Sequence, residues 1–156
     1  QKLVDGPDAK DMRRGRAAAT NIIPSTTGAS EAVTKAIPSL EGKFDADSIR
    51  VPTISGSLSV ITAKLGGVSL QGISKENINQ VFINASKDKR WEKVLKVTED
   101  PIVSTDVIGE PYGAIVDLSL TKVIGGDLVK IFSWYDNEAG YTATLIEHVR
   151  RVAENL

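Results

Sequence analysis

The chain contains no cysteine, and this absence excludes a disulfide, a thiolate metal site and a thiol nucleophile. It has a single histidine, His148, so no histidine pair can ligate a metal ion. His148 falls in the C-terminal helical stretch, and we expect it to be structural or solvent-facing. We therefore predict that the chain holds no metal site.

Long apolar runs and an excess of one charge are also missing. No apolar run approaches the roughly 20 residues that span a bilayer, and residues 1–11 are polar, unlike a secretion signal. The 19 basic and 20 acidic side chains give a net charge of -1. The chain therefore has no overall positive electrostatic field that would attract nucleic acid or an anionic membrane. These features predict a cytoplasmic protein without nucleic-acid or membrane partners, in which any anion site is local.

The first 20 residues differ from the rest of the chain. They are rich in charge, glycine and proline, contain the turn signal Asp-Gly-Pro-Asp at 5–8, and show no hydrophobic periodicity. We predict a mobile loop over residues 1–20 and a folded core over 21–156. The opening Gln1 in place of methionine favours a processed or cut product over a native start.

The core carries both helix and strand signals, and strands outnumber helices. Helical composition covers residues 29–37 and a Ser74-capped segment, whose core face is expected to hold Ile78, Val81, Phe82 and Ala85. A terminal helix is predicted from Glu138 to about Ala153, with an apolar stripe that needs a sheet to cover it, formed by Leu145, Val149 and Val152.

Segments rich in β-branched residues predict strands at 48–53, 57–65, 94–98, 115–123 and 128–134. The first two are expected in one sheet, and the last two should form a hairpin around Gly125-Gly126-Asp127. The pattern indicates an α+β fold with a largely antiparallel mixed sheet and helices on one face. Because no Gly-x-Gly-x-x-Gly follows a strand, no Rossmann domain is present.

Two groups of side chains could hold an anion. Arg13, Arg14 and Arg16 present guanidinium groups that suit phosphate, although ion pairing with nearby aspartates explains them equally well. Arg50 stands between apolar residues in a predicted strand. It is either functional or lies on the solvent-exposed face of the sheet. Thr27 and Gly28 precede a helix, where they could bind phosphate or where Thr26 or Thr27 could simply cap the helix.

The segment SWYDNEAGY at 133–141 mixes aromatic and polar residues with glycine between a strand and a helix. Asn137 could serve as the helix N-cap. Its amide could also recognise another amide, such as the carboxamide of nicotinamide, because it supplies both a donor and an acceptor. The residues alone leave both interpretations open.

Taken together, several segments are similar to one family. They are QKLVDGP at 1–7, RRGRAAA at 13–19, NIIP at 21–24, STTGA at 25–29, RVPT at 50–53, TEDPIVS at 98–104 and SWYDNEAGY at 133–141. In this order they resemble the C-terminal catalytic domain of glyceraldehyde-3-phosphate dehydrogenase. The resemblance implies an α+β domain that follows a Rossmann domain, faces another subunit of a homotetramer, and acts with NAD, inorganic phosphate and a phosphorylated aldehyde.

The resemblance also implies roles for individual residues. Thr27 and Gly28 match the site of the attacking phosphate, Arg50 matches the arginine that binds the substrate phosphate, and Arg14 matches a second arginine shared with the phosphate region. Asn137 matches the residue that orients the nicotinamide carboxamide, and Tyr141 the tyrosine near its ring. The family's catalytic cysteine and histidine lie upstream of Gln1, so we assign no catalytic residue here.

From this resemblance we expect a fragment of a phosphorylating, NAD-dependent glycolytic oxidoreductase that is inactive alone and does not bind NAD tightly. One alternative is a non-catalytic binding or assembly module that self-associates through its sheet. Another is a parent that is an erythrose-4-phosphate dehydrogenase, since TISGS at 53–57 departs from the family's usual sequence. A third is a stable proteolytic core without a role of its own.

Overall fold

The computed structural model describes residues 2–8, 10–66 and 73–156. The chain forms two compact units, Gln1–Ile54 and Ser55–Leu156. The boundary predicted after residue 20 and the mobility of the loop before it stay predictions, and residues 1 and 9 of that loop lie outside the described residues.

The first unit contains a two-stranded sheet and one helix. Strand β1 (Ile23–Thr26) pairs antiparallel with β2 (Asp47–Arg50), and Ile23 lies opposite Arg50. Helix α1 (Ala29–Ala36) follows β1 and ends before Pro38, as predicted, because the residue before a proline disfavours helical geometry. Ile23 is buried and its neighbour along β1, Pro24, is exposed, so one side of the strand faces the core of this unit.

The segment before β1 is folded against itself. The N–H of Gly6 donates to the carbonyl of Gly15 over 2.8 Å, and the N–H of Ala18 donates to the carbonyl of Lys2 over 2.9 Å. Met12–Gly15 form a 3-10 turn, and a Cβ added to the buried Gly15 would come within 2.3 Å of the Gly6 carbonyl oxygen. A glycine is thus required where these two stretches of backbone meet.

The second unit is built on a four-stranded sheet in the order β3-β6-β5-β4. Its strands are β3 (Ser57–Lys64), β4 (Leu95–Thr98), β5 (Ala114–Ile124) and β6 (Leu128–Tyr135). The β3–β6 and β6–β5 pairs are antiparallel and the β4–β5 pair is parallel. The predicted α+β fold with a largely antiparallel mixed sheet is confirmed.

The predicted hairpin is the connection from β5 to β6. Gly125 and Gly126 have φ values of 61° and 81°, the left-handed backbone that glycine adopts at little cost. The expectation that the strands at 48–53 and 57–65 share a sheet is wrong, since β2 pairs with β1 and β3 pairs with β6. Pro52 and the positive φ of Gly56, 83°, break the extended chain between them.

The core of the second unit lies along β5. Its largest buried apolar side chains are Ile115, Val116, Leu118, Val107 and Val129, each no more than 3% exposed. Helix α2 (Lys75–Lys87) packs against β4 and β5, and Asn79 donates its side-chain amide to the carbonyl of Leu118 over 3.0 Å. Ser74 caps α2 as predicted, although Val81 of the expected core face is 63% exposed.

Helix α3 (Ala139–Ala153) carries its apolar stripe outward. Leu145, Val149 and Val152 are 46%, 59% and 47% exposed, so the predicted cover is absent from the described residues. The buried positions of this helix are Gly140 and Glu147. A helix normally buries its apolar side, and α3 reverses that arrangement.

No helix within residues 2–8, 10–66 and 73–156 has the length and apolar character needed to cross a membrane.

Candidate functional site

Arg14 and Arg50 line the same open cavity in the first unit, which has a volume of about 420 Å³. Lys2 and Asp8 complete its lining. Arg50 reaches it as the last residue of β2, and Arg14 as part of the 3-10 turn held by the Gly6–Gly15 contact. We call this space the basic cavity, defined by Lys2, Asp8, Arg14 and Arg50.

The charges of the basic cavity are unequal. Three cationic side chains face one carboxylate, which leaves an excess of two positive charges. The N–H groups of Asp11 and Lys10 hold the pKa of Asp8 below its ordinary value, and the nearby charges of Arg14 and Lys2 act in the same direction. Asp8 is therefore ionised at neutral pH, and the cavity suits a small dianion.

The arginine cluster divides between two roles. Arg16 forms an ion pair with Asp5, whose carboxylate also accepts from the N–H of Ala17 over 2.8 Å. The Arg16–Asp5 distance is 3.3 Å and both side chains are exposed, so this pair contributes little stability. Arg13 and Arg16 line a smaller cavity of about 220 Å³, whereas Arg14 alone of the three lines the basic cavity.

Thr27 and Gly28 stand at the start of α1 and are not part of the basic cavity lining. Gly28 stands at the N-cap position and has no side chain with which to cap the helix. The Thr27 hydroxyl instead accepts from the N–H of Ala29 over 3.1 Å. A Cβ added to Gly28 would meet no atom of the described residues within 4 Å.

Asp136 organises the start of α3. One of its oxygens accepts from the N–H groups of Glu138 and Ala139 at 2.8 and 3.0 Å, and the other accepts from the N–H of Gly109 at 2.8 Å. The side chain is 4% exposed. These bonds, with that from Gly109 the largest, lower the pKa of Asp136. Asp136, not Asn137, satisfies the free N–H groups of this helix start.

Asn137 and Tyr141 are left free of that capping role. Both are exposed, Tyr141 by 65%. The N–H of Gly140 bonds to the carbonyl of Asp136, and Thr142 bonds to Glu138 in the same way, so the chain is already helical here. Asn137 therefore precedes α3 and Tyr141 lies in its first turn, and both are exposed.

The sequence had not indicated three residues of these sites. Asp136 carried a usable signal, because an aspartate three positions before a helical N–H is a favoured capping pattern. Lys2 and Asp8 had none, since they lie in a segment without periodicity. His148 is exposed, and within the described residues no group of three or more histidine, aspartate or glutamate side chains could hold a metal ion.

Comparison with known sequences finds one family, both by its sequence model and by individual relatives. The sequence model described as "Glyceraldehyde 3-phosphate dehydrogenase, C-terminal domain" matches residues 1–137. Proteins named glyceraldehyde-3-phosphate dehydrogenase from Mycobacterium avium and Borreliella burgdorferi are 44% and 40% identical over 156 and 154 residues, which are 100% and 99% of this chain. The protein of that name from Thermotoga maritima is 49% identical over 147 residues, 94% of the chain. The chain spans only 42% to 45% of the length of these relatives.

Proposed function

Because the chain belongs to the family of glyceraldehyde 3-phosphate dehydrogenase C-terminal domains, we propose that it supplies the phosphate-binding and nicotinamide-facing part of a cytoplasmic, NAD-dependent glyceraldehyde-3-phosphate dehydrogenase. In that reaction glyceraldehyde 3-phosphate, inorganic phosphate and NAD give 1,3-bisphosphoglycerate and NADH.

The observation that carries the proposal is the basic cavity. Arg14 and Arg50 are 36 positions apart in sequence and come to one cavity with Lys2. Guanidinium groups donate paired, charge-assisted hydrogen bonds to phosphate oxygens. We assign Arg50 to the phosphate of the aldehyde substrate and Arg14 to the phosphate region as a whole.

Thr27 and Gly28 are proposed to bind the attacking inorganic phosphate. The open first turn of α1 offers backbone N–H groups and the positive end of the helix dipole. The Thr27 hydroxyl already accepts one hydrogen bond, from Ala29, and its own proton can be donated to an anion.

Asn137 and Tyr141 are proposed to contact the nicotinamide end of NAD. The exposed Asn137 amide can donate to the carboxamide oxygen and accept from its nitrogen. The exposed Tyr141 ring, in the first turn of α3, offers an apolar surface. Because the chain lacks any cysteine, it cannot supply the family's catalytic cysteine, and we propose that it neither catalyses the reaction nor binds NAD tightly when alone.

A chimera tests this proposal. The part of the Mycobacterium avium relative that precedes the matched region would be fused to this chain, and reduction of NAD by glyceraldehyde 3-phosphate and phosphate would be followed at 340 nm. We expect activity from the chimera and none from the chain alone. Arg50→Ala in the chimera should lower kcat/KM for the aldehyde by about 10- to 100-fold, because two charge-assisted bonds are lost.

The matched control is Lys43→Ala, which removes an exposed cation of the same unit that does not line the basic cavity. A well-folded chimera without activity would contradict the proposed reaction. Unchanged kcat/KM in Arg50→Ala would contradict the assigned phosphate site. An active chimera that prefers erythrose 4-phosphate would show that the parent is an erythrose-4-phosphate dehydrogenase.

A second proposal, that the chain self-associates, rests on the sheet of the second unit. Leu58 pairs with Trp134 and Val60 with Phe132 across β3 and β6, so these four side chains share one face, which we call the Leu58 face. Leu58 and Val60 are 40% and 48% exposed. A contiguous exposed apolar surface on a sheet is typical of a subunit contact.

A further inference from the structure

One residue, Asp136, closes the backbone around Asn137. Oδ1 of Asp136 accepts from the N–H of Glu138 over 2.8 Å and from the N–H of Ala139 over 3.0 Å. Its main-chain carbonyl accepts from the N–H of Gly140 over 3.1 Å. An aspartate that bonds to the N–H two positions further on forms an Asx turn. Asn137 is the central residue of this closed turn, so its backbone has little freedom.

The turn is also anchored to the loop that precedes β5. Oδ2 of Asp136 accepts from the N–H of Gly109 over 2.8 Å, and Asp136 is only 4% exposed. The same loop meets the next residues of α3, because a Cβ added to Gly140 would lie 2.4 Å from the carbonyl oxygen of Tyr112. The turn around Asn137 is therefore held from a distant part of the sequence as well as from its own ends.

The side chain of Asn137 has no comparable support of its own. It is exposed, and no hydrogen bond between described residues reaches its amide. An asparagine side chain adopts a few staggered conformers relative to its backbone. The place at which the amide meets a ligand therefore depends on the turn that Asp136 closes.

We propose that Asp136 is a positioning residue for the nicotinamide contact, because it fixes the turn from which Asn137 presents its amide to the carboxamide of NAD. The inference rests on the proposed role of Asn137. Pairing of two amides requires a donor and an acceptor to be in place at the same time. A group that is already ordered before the ligand arrives avoids the entropic cost of ordering it on binding. Asp136 is buried, so it acts through Asn137 and not by contact with NAD.

The positioning is tested first on the 156-residue chain. NMR relaxation measures the backbone order parameter of Asn137, which we expect to be about 0.85 in the wild type and below about 0.6 in Asp136→Ala. Alanine removes all three side-chain bonds. Asp136→Asn should give an intermediate value, since its amide oxygen can still close the turn with Glu138 while the bond from Gly109 is lost. Unchanged order parameters in both variants would overturn the inference.

The effect on NAD is tested by a double-mutant cycle in the chimera described above. Asp136→Asn should lower kcat/KM for NAD by about tenfold, and Asn137→Ala by at least as much. In the Asn137→Ala background, Asp136→Asn should change kcat/KM by less than about twofold, because the group that it positions is already gone. A residue that only stabilised the fold would give the same factor in both backgrounds.

The matched control is Asp117→Asn. Asp117 is another buried carboxylate of the second unit, 2% exposed, and it accepts from the N–H of Ser119 over 3.1 Å and from the indole N–H of Trp134 over 3.3 Å. Its replacement should also destabilise this unit. It should leave kcat/KM for NAD and the order parameter of Asn137 unchanged, because Asp117 binds no N–H group of the turn.

The outcomes separate this inference from the proposed function. If the chimera is inactive, or if Asn137→Ala leaves kcat/KM for NAD unchanged, both the assignment of Asn137 and this inference fail. The role of Asp136 alone is overturned if Asn137→Ala lowers kcat/KM while Asp136→Asn has no effect or acts equally in both backgrounds. An equal loss in Asp117→Asn would also overturn it.

Discussion

Asp136 fixes the geometry around the proposed nicotinamide contact through a single buried carboxylate. Its oxygens bind three backbone N–H groups, one from the loop at Gly109 and two from the start of α3. A carboxylate is the best acceptor for such a set, because it offers several lone pairs and a negative charge at the positive end of the helix. Asn137, the next residue, is consequently free to face solvent or cofactor.

Replacing Asp136 with asparagine should lower the melting temperature of the second unit at neutral pH. The amide keeps one accepting oxygen and turns an NH₂ group toward N–H donors, which leaves backbone groups unsatisfied. Both tryptophans, Trp91 and Trp134, lie in this unit, so their fluorescence reports its melting directly.

The destabilisation by Asp136→Asn should also depend on pH. The pKa of Asp136 is lower in the folded chain than its ordinary value of 3.8, so the ionised carboxylate stabilises the fold above that value. This contribution is lost as the pH falls through the lowered pKa. The melting-temperature gap between the wild type and the variant should therefore be constant from pH 7 to about pH 5 and shrink below about pH 4. A gap that stays constant into strong acid would be evidence against this role.

The sequence predicts the role of a residue best when that role depends on neighbours in the chain and not on long-range contacts. Arg14 and Arg50 were singled out for their chemistry, yet their common cavity follows from β1–β2 pairing and from the Gly6–Gly15 contact. Lys2 and Asp8 join them only through that folding of the terminal segment. Long-range pairing of this kind leaves no periodic pattern in the sequence, so the cavity could not be derived from it.

Among the elements, α3 departs most from its sequence pattern. Its buried side is held by polar contacts: Glu147 accepts from Arg151 at 2.9 Å and from Lys93 at 3.3 Å. Arg151 also donates to the carbonyls of Arg90 and Lys89, the first over 2.6 Å. Bonding to Arg151 and Lys93 lowers the pKa of Glu147. The periodicity predicted the helix correctly, but it could not tell which side would pack.

Gly140 explains how α3 approaches the loop before β5. A Cβ at this position would lie 2.4 Å from the carbonyl oxygen of Tyr112 and 3.2 Å from its carbon. We predict that Gly140→Ala destabilises the second unit by about 1–3 kcal/mol, since the backbone must shift, despite the higher helix propensity of alanine, worth about 1 kcal/mol.

The control for Gly140→Ala is Gly66→Ala in the same unit, where an added Cβ meets no atom of the described residues within 4 Å. Urea unfolding followed by tryptophan fluorescence should show a change of at most about 0.5 kcal/mol for this control. If Gly140→Ala were as stable as the wild type, α3 could not lie as close to Tyr112 as the structure has it.

Local turn chemistry made other elements predictable. The β5–β6 hairpin follows from two adjacent glycines, both with positive φ, and the start of α2 follows from the reciprocal bonds between Ser74 and Asn77. The partners of β2 and β3 did not follow, because strand composition indicates an extended chain and not its neighbour. Only the pairing itself puts β2 beside β1 and β3 at the edge of the larger sheet.

At the scale of the whole molecule, the exposed apolar surface is large for a chain of this length. Within residues 2–8, 10–66 and 73–156, six apolar side chains are buried, whereas 23 large apolar side chains are exposed. Exposed apolar groups on two elements, β3 and α3, recur at the spacing that aligns them on one side. A surface of this kind favours association with another protein surface.

Self-association through the Leu58 face can be tested by sedimentation velocity over a range of chain concentrations. We expect the wild type to form dimers or larger species at concentrations of about 100 μM, which corresponds to a weak association of about 5–6 kcal/mol. Val60→Glu should shift the chain toward the monomer, because it puts a charge beside Phe132 in the centre of that face.

The matched control, Val81→Glu, alters an exposed valine of α2 and should leave association unchanged. A wild type that remains monomeric throughout, or equal association in Val60→Glu, would rule out the Leu58 face as the contact, whereas a loss of association in both variants would point to a general effect of added charge.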